Sequence, residues 1–134
     1  PLRVMTIMGA DDPLVPFEGG PVAKSGHGAT ASAQAVIDLF ARHNGCDAQP
    51  HAELLPDRAP DDHTRAERFE FSGCAAPAAL VVVHGGGHAW PGGEAYLPEL
   101  MVGRVSRDFD ASELIWQFLL APSTPQARRA RPQP

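Results

Sequence analysis

Apolar positions fall into a few short runs separated by glycine- and proline-rich stretches. Leu2 to Met8 is short, apolar and partly β-branched, the pattern of a buried strand. Ala33, Val36, Ile37, Phe40 and Ala41 recur at spacings of three and four and predict an amphipathic helix over Ala31 to Asn44. Thr30 or Ser32 is suited to cap its amino end, and Asn44-Gly45 reads as a left-handed stop. His51 to Thr64 is polar, with Asp57, Asp61 and Asp62, and predicts a surface loop. Phe69 and Phe71 alternate with polar neighbours over Arg68 to Ser72, as in a half-buried strand. Leu80 to His84 is a second strand after a short turn, so the two predict a hairpin. Gly85 to Asp108 is a long connection. Asp110-Ala111-Ser112-Glu113 has capping-box spacing and opens a last helix with a stripe of Leu114, Ile115, Phe118 and Leu119.

Strand, helix, hairpin and helix make an α/β layout with at most about three strands, too few to cover a parallel core alone. The 134 residues suffice for one core but are few for an α/β hydrolytic domain. No leader of charged, apolar and small residues is visible, and the first strand starts almost at Pro1. The expectation is the carboxyl-terminal part of a longer protein. Residues 122–134 carry four prolines and three arginines and predict a disordered tail. A net charge of −5 without a basic stripe argues against nucleic acid as a partner. No apolar run approaches the roughly 20 residues of a membrane span.

Two segments carry candidate chemistry. The run Val81-Val82-Val83 stops at His84-Gly85-Gly86-Gly87, and His88 follows on a loop whose glycines permit close approach. Earlier, Val4 to Met8 stops at Gly9-Ala10-Asp11-Asp12-Pro13. Reactive groups of open α/β sheets sit beyond the carboxyl ends of strands, so Asp12 and His88 are candidates for an acid and a base. Asp12 is preferred over Asp11 because Pro13 biases it to extended backbone; Asp11 is better placed to bond turn amides. The bland alternatives are an Asx-turn acid and an exposed loop histidine. His84 reads as structural, continuing the strand. Trp90-Pro91 offers a rigid aromatic wall. The three glycines between His84 and His88 exclude a helix that would align them on a metal, so neither a metal nor a cofactor is expected.

No serine sits in Gly-x-Ser-x-Gly, the elbow that exposes a nucleophile. Ser25 in Lys24-Ser25-Gly26-His27-Gly28 lacks the first glycine and a preceding strand; Ser72-Gly73-Cys74 is followed by no helical pattern. Cys46 and Cys74 each end an element. They could meet in a disulfide, which points to an oxidising compartment, or remain buried thiols.

Gly9-Ala10-Asp11-Asp12-Pro13-Leu14-Val15-Pro16-Phe17, Asn44-Gly45-Cys46, Gly86-Gly87-His88-Ala89-Trp90-Pro91-Gly92 and Asp110 to Phe118 occur in this order. In these motifs the chain, over roughly Leu2 to Leu119, resembles the carboxyl-terminal part of the secreted esterases of the polyhydroxybutyrate depolymerase group. That group includes feruloyl and acetylxylan esterases and has the α/β-hydrolase fold. The resemblance implies a partial α/β-hydrolase domain over residues 1–121, consisting of the last sheet strands and two main helices. It implies Asp12 as triad acid, His88 as triad base, Trp90 as a substrate-pocket residue and a Cys46–Cys74 disulfide. It further implies an ester substrate from polyester or plant cell wall and an extracellular or periplasmic location. The serine and oxyanion hole would then lie on an amino-terminal half of the same domain, because serine, acid, histidine is the chain order of this fold. Without them the 134 residues alone would be inactive. The alternative is a non-catalytic module binding carbohydrate or polymer through Trp90 and Trp116. DNA sequence upstream of the codon for Pro1 checks the first reading: an in-frame Gly-x-Ser-x-Gly after an apolar run is expected, and a stop codon there contradicts it.

Overall fold

A computed structural model describes residues 1–22 and 28–122. Ser25 and the expected tail from residue 123 onward lie outside the described residues. The principal sheet has four strands: β1 (Val4–Gly9), β4 (His51–Leu54), β5 (Arg65–Phe71) and β6 (Ala78–His84), in the order β1-β6-β5-β4. A two-residue pair, β2 (Gly20–Pro21) with β3 (Ala29–Thr30), forms a separate antiparallel ribbon. The helices are α1 (Ala33–His43), a short α2 (Glu99–Val102) and α3 (Ala111–Leu120). None is long and apolar enough to cross a membrane.

The β5–β6 hairpin forms as expected, antiparallel from Arg65 opposite His84 to Phe71 opposite Ala78. β1 runs parallel to β6, from Val4 opposite Ala78 to Gly9 opposite Val83. The sheet is larger than expected because His51–Leu54, expected in a surface loop, is an edge strand against β5. All four of its residues are exposed, so no apolar alternation marks it; backbone pairing holds it, with one ion pair across the strands between Glu53 and Arg68 at 3.7 Å. The expected half-buried strand also starts earlier, at Arg65, with Ala66 buried.

β6 is buried from Ala78 to Val83, and alternation sends its side chains to both faces. Ala78, Leu80 and Val82 join Ile37, Ala33 and Ala41 of α1 and Phe71 of β5 in the core. Full burial of Ile37 and Leu80 stabilises the fold by about 1.5–3 kcal/mol each relative to exposure. Ser32 is the cap of α1: its hydroxyl accepts from the Ala35 amide at 3.1 Å. Gly45, at φ +67°, ends the helix in the left-handed region. Asp110 caps α3 by accepting from Ser112 and Glu113 amides. The capping box is only half made, since Glu113 accepts from Gln117 one turn later instead of reaching back. The stripe of α3 is also narrower than expected: Phe118 is buried, Leu114 and Ile115 are half-buried, and Leu119 is exposed.

Asn44 is a buried junction. Its side chain accepts from the Leu2 amide at 3.1 Å and donates to the carbonyls of Leu2 at 2.7 Å and Ala76 at 2.9 Å. Two residues on, Cys46 is joined to Cys74 by a disulfide, tying the end of α1 to the β5–β6 turn. His84 is not the buried strand residue expected: as the last of β6 it leaves the core and pairs with Glu67 at 3.2 Å. The disulfide spans 28 residues, for which chain entropy gives about 3–4 kcal/mol of stabilisation. Replacing both cysteines by serine is expected to lower the urea midpoint and to steepen the dependence on urea, because the unlinked denatured chain is less compact; an unaltered midpoint would contradict this.

Candidate acid–base site at the carboxyl ends of two parallel strands

Because β1 and β6 are parallel neighbours, their following loops leave the same edge side by side. The ladder continues past the strand ends: the Ala10 amide donates to the Val83 carbonyl at 2.9 Å, and the Asp11 amide to Gly86 at 3.0 Å. Glycine is required for this approach. A Cβ on Gly9 would lie 2.4 Å from the Gly86 carbonyl oxygen, and one on Gly87 would lie 2.1 Å from that of Val102. A side chain at Gly9 would push the two loops apart, and one at Gly87 would push the His88 loop away from Val102 and Gly103.

This packing brings Asp12 and His88 together. Nδ1 of His88 lies 2.8 Å from Oδ2 of Asp12. The Asp12 side chain is 6% exposed and that of His88 43%. Oδ1 of Asp12 accepts from the Leu14 and Val15 amides at 2.8 and 2.9 Å. Asp12 is therefore both the Asx-turn acid and the partner of the histidine; the two sequence readings use different oxygens. The turn amides that Asp11 was expected to bond are bonded by Asp12. As a carboxylate, Asp12 can only accept, so the shared proton sits on Nδ1 and the lone pair of the neutral ring is on Nε2. Nε2 has no hydrogen-bond partner among the described residues. The arrangement can hold an imidazole in one tautomer and present a base to a reactant.

His88 borders a cavity of about 380 Å³ whose lining includes Ile7, Val15, Trp90 and Tyr96. Trp90 is thus a wall residue, and its indole is fixed by donation to the Ser112 hydroxyl at 3.2 Å. Two neighbours were not singled out from sequence. Tyr96, the only tyrosine, donates its hydroxyl to the His88 carbonyl at 2.8 Å; its only sequence mark is a lone aromatic in a glycine- and proline-rich stretch. Ser106 also lines the cavity, but it is 2% exposed and its hydroxyl accepts from Thr64 at 2.8 Å. It is engaged away from His88. Ser32, Ser72 and Ser112 are committed to the α1 cap, Asp47 and Trp90 respectively. Among the described residues no serine bonds the imidazole, and no group of three or more His, Cys, Asp or Glu is placed to hold a metal ion.

The loop carrying His88 lies along residues 102–106. Amides of Gly87, His88 and Gly92 donate to the carbonyls of Arg104, Val102 and Ser106, and Gly86 and Arg104 form a parallel bridge. Two acids fasten this support to the segment before β5. Asp108 accepts from the Arg58 and Ala59 amides, and Asp62 from the Thr64 and Arg107 amides.

The fold is thus a mixed-sheet, partial α/β arrangement with a carboxylate–imidazole pair at adjacent strand ends. The chain is similar to a protein of Nocardia uniformis subsp. tsuyamanensis named "Putative esterase NocK", with 31% identity over 133 aligned residues covering 90% of this chain. The matched part is 38% of that protein's length. No family model matches the chain, and no solved structure does.

Burial alone would raise the pKa of Asp62, but the Arg107 amide, the bonds from Thr64 and the Arg107 charge outweigh it and hold the carboxyl below its ordinary value. A depressed carboxyl contributes stability above its unfolded pKa, and that contribution is lost as pH falls through the folded pKa. The stability difference between the native chain and Asp62→Asn, from urea midpoints, is therefore expected to shrink on acidification below the ordinary carboxylate range. A pH-independent difference would contradict the assignment.

Proposed function

We propose that this chain is the acid- and base-bearing, carboxyl-terminal part of a serine carboxylic ester hydrolase. The observation that carries the reading is the 2.8 Å bond between His88 Nδ1 and Asp12 Oδ2, with Nε2 unpartnered beside the cavity. In the proposed cycle, Nε2 takes the proton of a serine hydroxyl as that oxygen attacks the ester carbon. It then returns the proton to the leaving alcohol, and water repeats the sequence on the acyl-enzyme. Asp12 holds the ring in the tautomer this needs and stabilises the imidazolium that forms. The similarity to a protein named as an esterase supports ester hydrolysis in general terms.

The finer reading is an esterase of the polyhydroxybutyrate depolymerase group, acting on polyester or on feruloyl or acetylxylan esters. The apolar and aromatic cavity wall formed by Ile7, Val15, Trp90 and Tyr96 supports a neutral, apolar ester group. The serine and oxyanion hole belong to an amino-terminal half of the same domain, whose strands would add beside β1. The place of β1 at the edge of the sheet among the described residues and the match to 38% of the longer relative support this. By itself the chain is inactive: loss of a single oxyanion donor alone costs about 10²–10³ in rate. The Cys46–Cys74 disulfide supports an extracellular or periplasmic location.

The second reading, a polymer- or carbohydrate-binding module, is favoured by one observation: Trp90 and Trp116 are 54% and 60% exposed. Retention of the isolated chain on polyester or xylan, unaffected by His88→Ala, would select it.

In a protein extended upstream to include the nucleophile, short-chain aryl esters are expected to be hydrolysed. His88→Ala is expected to lower kcat by about 10⁶-fold and Asp12→Asn by about 10⁴-fold. Asn at position 12 keeps an oxygen for the Leu14 and Val15 amides, so its effect reports on the imidazole. Full activity of His88→Ala would refute the proposal.

A further inference from the structure

His88 is positioned at three points. Its ring is held by Asp12, its amide donates to the Val102 carbonyl at 2.5 Å, and its own carbonyl accepts from the Tyr96 hydroxyl at 2.8 Å. The first two come from segments fastened into the fold on both sides. The third does not. Among the described residues, the phenol bond is the only hydrogen bond tying Glu94 to Leu97 to the rest of the molecule. All four residues are exposed, Tyr96 by 58%. Tyr96 is nonetheless directed inward, because its side chain also lines the cavity beside His88.

A bare loop would gain little from one half-exposed phenol, since water competes for both partners. The bond matters through what it acts on. The His88 carbonyl carbon is bonded directly to the Cα that carries the imidazole. Freedom there turns the ring away from Asp12, and small displacements of a reacting group lower rate steeply. The preceding glycines are held by backbone bonds on the amino side of His88 and leave its carbonyl to Tyr96.

We propose that Tyr96 is a positioning residue for His88. Its hydroxyl fixes the backbone from which the imidazole projects, and its ring forms part of the cavity wall. The inference rests on the reading of Asp12 and His88 as an acid–base pair. It adds a coupling: an apolar ester group in the cavity excludes water from the phenol bond and strengthens it, so a filled cavity holds His88 more firmly than an empty one.

The test is nuclear magnetic resonance of the full 134-residue chain. The reporters are the low-field Nδ1–H resonance of His88 and the exchange rate of its backbone amide. Tyr96→Phe removes the hydroxyl and keeps the ring. It is expected to reduce the ratio of held to released His88 by roughly two- to tenfold, the range for one neutral hydrogen bond, and to speed amide exchange to match. Leu100→Ala serves as control, since Leu100 is 96% exposed on the same connection and bonds nothing in the site; both reporters are expected to stay unchanged in it. Unchanged reporters in Tyr96→Phe would overturn the role of Tyr96 and leave the acid–base pair standing. Equal losses in Leu100→Ala would also overturn it, because they would mark general loosening of the connection. If Asp12→Asn leaves the His88 ring-nitrogen resonances unchanged, the pair itself fails and the inference with it.

Discussion

The parallel pairing of β1 with β6 is the constraint on which the site depends. A parallel ladder sends both chains out of the sheet at the same edge, so the segments after Gly9 and His84 must pass one another closely. They do so backbone against backbone, with a Cβ on Gly9 excluded by carbonyl oxygens 2.4 and 2.5 Å away. Residues 76 positions apart in sequence meet because a six-residue register already holds. The Asp12–His88 bond is then a consequence of the sheet, and it contributes less to folding than the buried face of β6 beneath it.

The second constraint is that a loop this rich in glycine has almost no side chains to pack. Its order comes from elsewhere. Residues 102–106 accept its amides, Asp62 and Asp108 fasten that support to the segment before β5, and Trp90 and Tyr96 donate to Ser112 and to His88 itself. Backbone acceptors and two buried or half-buried carboxylates thus replace hydrophobic packing around the imidazole. Hydrophobic packing is concentrated instead beneath α1, where Asn44 and the Cys46–Cys74 disulfide fix the far end of the sheet.

Elements with one apolar face were legible in the sequence. Ile37 and its neighbours marked α1, Phe69 and Phe71 marked β5, and the apolar run from Leu80 to Val83 marked β6, because each pattern records burial on one face or both. β4 was not legible, since His51 to Leu54 bury nothing. The inner positions of α3 were only partly legible: Leu119 has the spacing of a core residue, yet it is exposed among the described residues. His84 followed a buried run but lies where the strand leaves the core.

Sequence alone determined the chemistry on offer: an acid before proline, a histidine after glycines, two cysteines at element ends, and no nucleophile elbow. Those follow from residue identity and local backbone preference, which are properties of the chain. Tertiary structure decided the partnerships. It gave one oxygen of Asp12 to the turn and the other to His88, engaged Ser106 with Thr64, and brought Tyr96 to the His88 carbonyl. Such choices depend on distances between segments far apart in sequence, and only the packed sheet and its flanking loops set those distances.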